Sequence, residues 1–164
     1  MSLDAYASGS TEPWTASVLA TLIRLTRPAR ILELGTFQGM TTRAISSAAP
    51  DASVVTVDIE KRFEGDLGAN VTFREMDALT FLRTWGGPPF DFVFVDDDHS
   101  FGHVSAEIDF LRHPEMTLTG PGSLIVLHDV IGPFGLDRIV HEHGGWIVEL
   151  PLLHAAGGLG VIQV

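Results

Sequence analysis

The chain has 164 residues, of which 45% are hydrophobic and 19% charged, and this balance fits one globular domain and excludes a disordered or fibrous chain. The formal net charge is −11, with 10 basic and 21 acidic residues, so the basic surface of a nucleic-acid-binding protein is missing and no nucleic-acid partner is expected. The chain has no cysteine, no apolar run long enough for a membrane span and no signal-peptide pattern, which predicts a cytoplasmic protein without disulfides or a membrane partner.

Helical and strand patterns alternate along the chain. Residues 1–11 are expected to form a flexible tail, and the first helix is predicted over 12–26, with Thr11 as its cap. Its predicted buried face carries Trp14, Val18, Leu22 and Leu25. Strands are predicted over 30–34, 53–58, 71–75, 90–95, 123–127, 146–150 and 160–164. Helices are predicted over 41–48, 78–85, 103–111 and 135–143, with a short or irregular helix over 61–70.

Strands separated by helices predict a mainly parallel sheet, and the last two strands, joined by a short Gly-rich turn, predict an antiparallel pair. The fold class is therefore α/β, a Rossmann-like, doubly wound seven-stranded sheet in one domain covering 1–164. Ligands of such sheets bind beyond the carboxyl ends of the strands. The residues that follow the first five strands are Gly35, Asp58, Asp77, Asp96 and the pair His128-Asp129.

The first turn reads Glu33-x-Gly35-x-x-x-Gly39. The dinucleotide pattern G-x-G-x-x-G would need glycine where this chain has Phe37 and Met40, which argues against NAD or FAD. The two glycines still bring a helix N-terminus toward a ligand, where free N–H groups favour a carboxylate. A plain strand-to-helix turn remains the alternative.

Two acidic residues follow the next two strands. Asp58 can accept hydrogen bonds from both hydroxyls of a ribose, and its alternative is a solvated aspartate at a strand end. Asp77 can accept from an adenine amino group, and its alternative is an N-cap of the following helix.

These residues resemble the class I S-adenosylmethionine (SAM)-dependent methyltransferases, and the resemblance covers essentially the whole chain. It implies that the first turn holds the methionine part of SAM, that Asp58 holds the ribose and that Asp77 contacts the adenine. The implied cofactor-binding residues are Glu33, Gly35, Thr36, Phe37, Gly39, Asp58, Asp77 and Asp96.

Two further segments, Phe94–Ser100 and Gly120–Asp129, are similar to small bacterial methyltransferases related to the macrolide-sugar O-methyltransferases and the cephalosporin-hydroxylase-like group. In that group an aspartate after the fourth strand and an acidic pair after the fifth commonly hold a divalent metal. The resemblance places Asp96, His128 and Asp129 at those positions. The usual Pro-Gly-Gly before the fifth strand is replaced here by Gly120-Pro-Gly122.

The predicted reaction is methyl transfer from SAM to a small-molecule acceptor at a hydroxyl oxygen. A cation such as Mg²⁺ held by Asp96 and Asp129 could lower the pKa of the hydroxyl, and His99 could take its proton. A histidine ligand would instead favour a transition metal. The alternatives are Asp96 beside the sulfonium without a metal, His99 as a structural loop residue, and a non-catalytic module that binds SAM or S-adenosylhomocysteine (SAH). A homo-oligomer is left open.

Overall fold

The computed structural model describes residues 11–150 and 156–164, and in these ranges it contains five helices and seven strands. The helices are α1 (Pro13–Thr26), α2 (Met40–Ala48), α3 (Ala78–Thr84), α4 (Phe101–Arg112) and α5 (Leu136–Glu142). The strands are β1 (Arg30–Leu34), β2 (Ser53–Asp58), β3 (Val71–Glu75), β4 (Phe90–Val95), β5 (Thr119–Ile131), β6 (Trp146–Val148) and β7 (Gly157–Gln163).

The strands form one sheet in the order β3-β2-β1-β4-β5-β7-β6. Strands β1 to β5 pair in parallel, and β7 runs antiparallel to both β5 and β6. The predicted fold class is confirmed. In the register, Leu34 at the end of β1 lies beside Val57 of β2 and Val95 of β4, so the turns that follow these strands meet at one edge.

Successive residues of a strand point to opposite faces of the sheet, so both faces of this sheet carry apolar side chains. Helices cover each of the two faces. Val93 and Val95 of β4 pack in one core with α3, α4 and α5, whereas Phe92 and Phe94 pack in the other with α1 and α2. All four of these β4 side chains are buried, so the strand has no solvent face. The apolar run over residues 92–95 is typical of a central parallel strand.

The buried face of α1 differs from the prediction. The residues buried on this helix are Thr15, Leu19, Ala20 and Ile23, while the predicted Leu25 is 74% exposed. The predicted cap is also wrong, because Glu12 occupies the N-cap position and makes no side-chain cap bond. Thr11 is buried instead of lying in a tail, and residues 1–10 lie outside the described residues.

The segment 61–70 contains no helix, contrary to the prediction. The side chain of Arg43 donates hydrogen bonds to the backbone carbonyls of Glu64 and Asp66, at 2.7 and 3.0 Å. The Asp66 carboxylate in turn accepts from the N–H of Gly68 at 3.1 Å. These local hydrogen bonds satisfy backbone carbonyl and N–H groups that would otherwise pair within a helix. In addition, Gly68 has a φ of 134°, which lies outside the α-helical region.

Other boundaries shift by a few residues: β5 extends beyond the predicted 123–127, β6 is shorter than 146–150 and β7 begins before 160. The Gly-rich turn predicted between the last two strands includes residues 151–155, which lie outside the described residues. Every helix in the described part of the chain is too short or too polar to cross a membrane.

Candidate functional site

A cavity of about 530 Å³ lies at the edge of the sheet where β1, β2, β4 and β5 end. The predicted site residues that line it are Gly35, Phe37, Asp58, Asp77, Asp96, His99, His128 and Asp129. It is also lined by Thr11, Glu12, Val57, Ile59, Arg62, Ala78, Asp97, Asp98 and His103. The structure thus gathers most of the predicted site, but Glu33, Thr36 and Gly39 do not line this cavity.

The turn after β1 is packed closely against the loop after β4. Gly35 has a φ of 95°, and a Cβ atom there would overlap the backbone carbonyl of Asp96. Gly39 has a φ of 74° and is the N-cap of α2. Phe37 adopts a φ of 44°, which costs a non-glycine residue about 1 kcal/mol. The two glycines therefore shape the turn, and only Gly35 and Phe37 reach the cavity.

Asp58 fixes this turn from the end of β2. Its Oδ2 accepts hydrogen bonds from the backbone N–H groups of Thr36 and Phe37, at 3.0 and 2.7 Å. Its Oδ1 accepts from the N–H of Glu60 at 3.2 Å. Asp58 thus lines the cavity and also holds the turn, a second role that the sequence did not predict.

Glu33 lies beneath the turn and not in the cavity. Its side chain is fully buried, and Oε2 accepts from the hydroxyls of Thr42 and Thr56 at 2.5 and 2.6 Å. Among the described residues, Oε1 has no hydrogen-bond partner. Burial raises the pKa of Glu33 to about 8, so the side chain is a neutral acid at pH 7. It therefore supports the turn from a position that does not line the cavity.

Thr36 also acts from beneath the turn. Its hydroxyl lies 2.6 Å from that of Thr56, and its side chain is buried. Asp77 lies where a ligand contact is possible and is also an N-cap, the two alternatives that the sequence left open. It lines the cavity, and it caps α3 by accepting a hydrogen bond from the N–H of Thr80 at 2.8 Å. This hydrogen bond lowers the pKa of Asp77.

A buried network joins the end of β4, the end of β5 and the start of α1. Nδ1 of His128 lies 2.9 Å from Oδ1 of Asp96, and Nε2 lies 2.9 Å from Oε2 of Glu12. The hydroxyl of Thr11 donates to Oδ2 of Asp96 at 2.7 Å. Both ring nitrogens of His128 thus face carboxylates, an arrangement that requires a proton on each nitrogen.

The charges in this network stabilise one another. Burial alone would lower the pKa of His128, but Asp96 and Glu12 outweigh it and raise the pKa to about 11. Burial likewise opposes ionisation of Asp96, yet His128 holds the pKa of this carboxyl well below its usual range. Burial alone would raise the pKa of Glu12, but the contact with His128 outweighs burial and lowers it. The network is therefore one imidazolium between two carboxylates.

His99 and Asp129 form a second charged pair at the cavity wall. Nε2 of His99 lies 3.0 Å from Oδ2 of Asp129 and 3.6 Å from Oδ1 of Asp96, and within the described ranges it has no partner with hydrogen-bond geometry. These contacts raise the pKa of His99 to about 10, and the contact with Asp129 has the larger effect. Asp129 has a φ of 54°, and such left-handed residues concentrate at functional sites.

A family model of a methyltransferase domain matches residues 32–130. The chain belongs to this methyltransferase family. The match spans the sheet from β1 to β5 and so includes the turns that line the cavity. The predicted resemblance to methyltransferases is confirmed. No curated protein sequence matches this methyltransferase.

Solved structures of methyltransferases share the fold. The O-methyltransferase TomG of Streptomyces achromogenes, involved in tomaymycin synthesis and solved with SAM, has a TM-score of 0.78 and 22% identity, over 94% of this chain and 81% of that one. An O-methyltransferase of Bacillus cereus solved with SAH has a TM-score of 0.71 and 18% identity, over 94% and 82%. SAH-bound PaMTH1 of Podospora anserina has a TM-score of 0.68 and 18% identity, over 95% and 80%.

The predicted metal ligands of the methyltransferase come together: one ligand atom each from Asp96, His99 and His128, and likewise from Glu12, His128 and Asp129, lie within 4.8 Å of one another. Both nitrogens of His128 face carboxylates, both oxygens of Asp96 accept hydrogen bonds, and Asp129 pairs with His99. A carboxylate that accepts a hydrogen bond keeps lone pairs for a metal, whereas a histidine ligand needs an unprotonated nitrogen. A metal at His128 would therefore have to displace a proton from its ring.

Several residues of the methyltransferase cavity were not among the predicted site residues, notably Thr11, Glu12 and His103. Thr11 and Glu12 are typical of the start of a helix, and only the fold brings them against β4 and β5. Asp97 also lines the cavity, with its side chain 18% exposed. Its only signal in the sequence is its place two residues after a strand that ends at the site.

Proposed function

We propose that this methyltransferase transfers the methyl group of SAM to a hydroxyl oxygen of a small-molecule acceptor, with the whole chain acting as one cofactor-binding domain. The observation that carries the proposal is the ionised, partly buried Asp96 beside the Gly35 turn, in the cavity where β1 and β4 end. A sulfonium is a cation, and a carboxylate held in its ionised form favours a cation nearby. The O-methyltransferases with the same fold support the choice of acceptor.

In this proposal the cofactor lies along the carboxyl ends of the strands. The turn at Gly35 and Phe37 holds the methionine part, Asp58 accepts from the ribose hydroxyls, and Asp77 lies beside the adenine. Glu33 and Gly39 act indirectly, because they shape the turn from outside the cavity, whereas Thr36 lines a small adjoining pocket that shares Gly35 and Phe37 with it. This division of roles makes Asp58 the clearest position at which to test cofactor binding.

The transfer step forms a bond between the acceptor oxygen and the methyl carbon and breaks the bond between that carbon and sulfur. The electron pair of the broken bond stays on sulfur, which yields neutral SAH, and the hydroxyl proton passes to a base. The proposed base is His99. Its raised pKa makes it a cation in the cofactor-free protein, and a sulfonium bound in the same cavity would disfavour this positive charge and favour release of the proton. Neutral His99 then accepts the proton of the acceptor.

The first test is calorimetric titration of SAH into the wild type, Asp58→Ala and the exposed control Asp51→Ala. We expect micromolar binding that is lost in Asp58→Ala and retained in the control. Absence of binding to the wild type would refute the cofactor assignment. Turnover is then measured with phenols, sugars and diols as acceptors, in magnesium and in EDTA, which also tests the predicted metal. Binding without turnover on any acceptor would favour the non-catalytic module.

A further inference from the structure

A second group of ionisable side chains lies where the loop after β4 meets α4. Asp97 is the second residue after β4, and His103 and Glu107 lie one turn apart on α4. Nε2 of His103 is 3.4 Å from Oδ2 of Asp97 and 3.4 Å from Oε1 of Glu107. One ligand atom from each of the three residues lies within 4.8 Å of the others. None of the three belongs to the predicted catalytic or cofactor-binding residues.

The polar atoms of this group lack partners although they are buried. In the part of the chain that the structure describes, neither carboxylate oxygen of Glu107 has a hydrogen-bond partner, and its side chain is 0% exposed. Oδ1 of Asp97 and Nε2 of His103 are likewise buried without a partner. A buried polar group left without a partner costs about 1–3 kcal/mol, and more if it is charged. Among these atoms, Nε2 of His103 lies 3.4 Å from Oε1 of Glu107, so unpartnered polar atoms of two residues meet beside the Asp97 carboxylate. This arrangement indicates that a binding partner belongs there.

We propose that Asp97, His103 and Glu107 form a binding site for a transition-metal dication of the Zn²⁺ type, separate from the Asp96–His128–Asp129 group. Two ligand atoms that lie about 2.1 Å from one ion at the tetrahedral angle are about 3.4 Å apart. Both distances from His103 to the carboxylates equal this separation and exceed those of ordinary hydrogen bonds. Nε2 of His103 is thus spaced from each carboxylate as two ligands of one ion are, and one oxygen of each carboxylate lies within 4.8 Å of the other.

The donor set favours zinc over magnesium. Imidazole nitrogen is a good ligand for Zn²⁺ and related metals, whereas Mg²⁺ prefers oxygen ligands and keeps several waters. Asp97 and His103 line the cavity and Glu107 lies behind them, so water from the cavity can complete the coordination. Burial and the neighbouring Asp97 raise the pKa of Glu107 to about 10, so that its carboxyl is protonated when no cation is bound. The His128 group differs, because its ring nitrogens are already paired.

The ion would join α4 to the loop that carries Asp96 and His99. It would therefore stabilise the folded chain against heating, because ligands that bind only the folded state raise its stability. This expectation is independent of methyl transfer and can be tested without SAM or an acceptor. Failure of the metal site would leave the proposed function standing, and the reverse also holds.

The experiment is calorimetric titration of Zn²⁺ into the chelator-treated full chain, with a parallel Co²⁺ titration read by its visible absorption. The variants are Glu107→Gln and His103→Gln, and the matched control is Asp129→Asn in the neighbouring acidic group. We expect one equivalent of Zn²⁺ to bind to the wild type and to the control, with tetrahedral Co²⁺ bands and a raised melting temperature. Each ligand variant should bind at least about 100-fold more weakly, since even indirect partners of metal ligands contribute up to that factor.

Three results would overturn the proposal: no binding to the wild type below millimolar Zn²⁺, unchanged binding in both ligand variants, or loss of binding in Asp129→Asn alone. The last result would place the ion in the other group. Circular dichroism of the metal-free variants establishes whether they fold. If Glu107→Gln does not fold, His103→Gln decides the question, because His103 is partly exposed and its replacement leaves no large void.

Discussion

Replacing Glu33 by Gln separates a role in cofactor binding from a role beneath the turn. The sequence placed Glu33 at the ligand, whereas the structure buries it completely between Thr42 and Thr56. Glutamine has almost the same shape, and its amide oxygen can accept the same two hydrogen bonds, but it does not titrate. We expect the affinity for SAH to change by less than about threefold, as for a group that does not line the cavity, and the pH dependence of stability to change strongly.

The size of the pH effect follows from the pKa of Glu33. It rises from the ordinary value of 4.5 to about 8 in the folded chain, and at about 1.36 kcal/mol per pH unit this corresponds to about 5 kcal/mol. Because the folded state holds the proton more tightly, this stabilisation is complete below pH 4.5 and is lost as the pH rises through about 8. The Glu33→Gln variant does not lose this stabilisation. Its free energy of unfolding, compared with that of the wild type, should therefore rise by about 5 kcal/mol from acid to alkaline pH.

The assay is urea unfolding followed by circular dichroism at several values between pH 4 and 9. The difference in unfolding free energy between the wild type and Glu33→Gln removes the contribution of all other titrating groups that the substitution leaves unchanged. Glu115→Gln, at an exposed position, is the control and should run parallel to the wild type. If the unfolding free energies of Glu33→Gln and the wild type change in parallel with pH, the conclusion that Glu33 is a buried neutral acid is refuted.

Three further predictions concern the cavity itself. Gly35→Ala should destabilise the fold by more than about 2 kcal/mol and abolish SAH binding, because its Cβ would overlap the Asp96 carbonyl at a positive φ; a urea-stable variant with normal affinity would contradict this. Glu12→Gln should lower the pKa of His128 from about 11, measured by NMR titration of the imidazole, and an unchanged titration would mean that Glu12 does not stabilise the cation. His99→Ala should reduce single-turnover methyl transfer by about 10²- to 10⁴-fold while SAH affinity is nearly retained; full turnover would exclude His99 as the base.

The strands were predictable because their signals are local. Residues 53–58, 71–75 and 90–95 were placed at their observed bounds from β-branched and aromatic runs alone. The edge at which they end then followed from parallel pairing. Helix α1 shows where local signals fail, since periodicity of large apolar residues favoured the wrong face. Its start is joined to the site by a polar contact that is distant in sequence, since Oε2 of Glu12 lies 2.9 Å from Nε2 of His128.

The site was predictable as a set of positions but not as a set of charge states. Asp96, His99, His128 and Asp129 were all named from the strand ends, and the fold brings them to one cavity. Their protonation depends on distances between elements that the sequence does not encode locally. Glu12 illustrates this, because its contact with His128 joins residues 116 positions apart and fixes a proton on the ring. A histidine that reads as a metal ligand in the sequence is thereby an imidazolium in the fold.

The proposed mechanism keeps the number of positive charges beside Asp96 and Asp129 constant. In the cofactor-free protein one charge is the His128 imidazolium, and the other is the His99 imidazolium, which Asp96 and Asp129 hold at 3.6 and 3.0 Å. A bound sulfonium would favour release of the His99 proton by repulsion. Methyl transfer then neutralises the sulfur and frees a proton, and the same imidazole takes that proton. The carboxylates therefore stabilise a cation before and after transfer, so the step does not leave an uncompensated charge in a buried site.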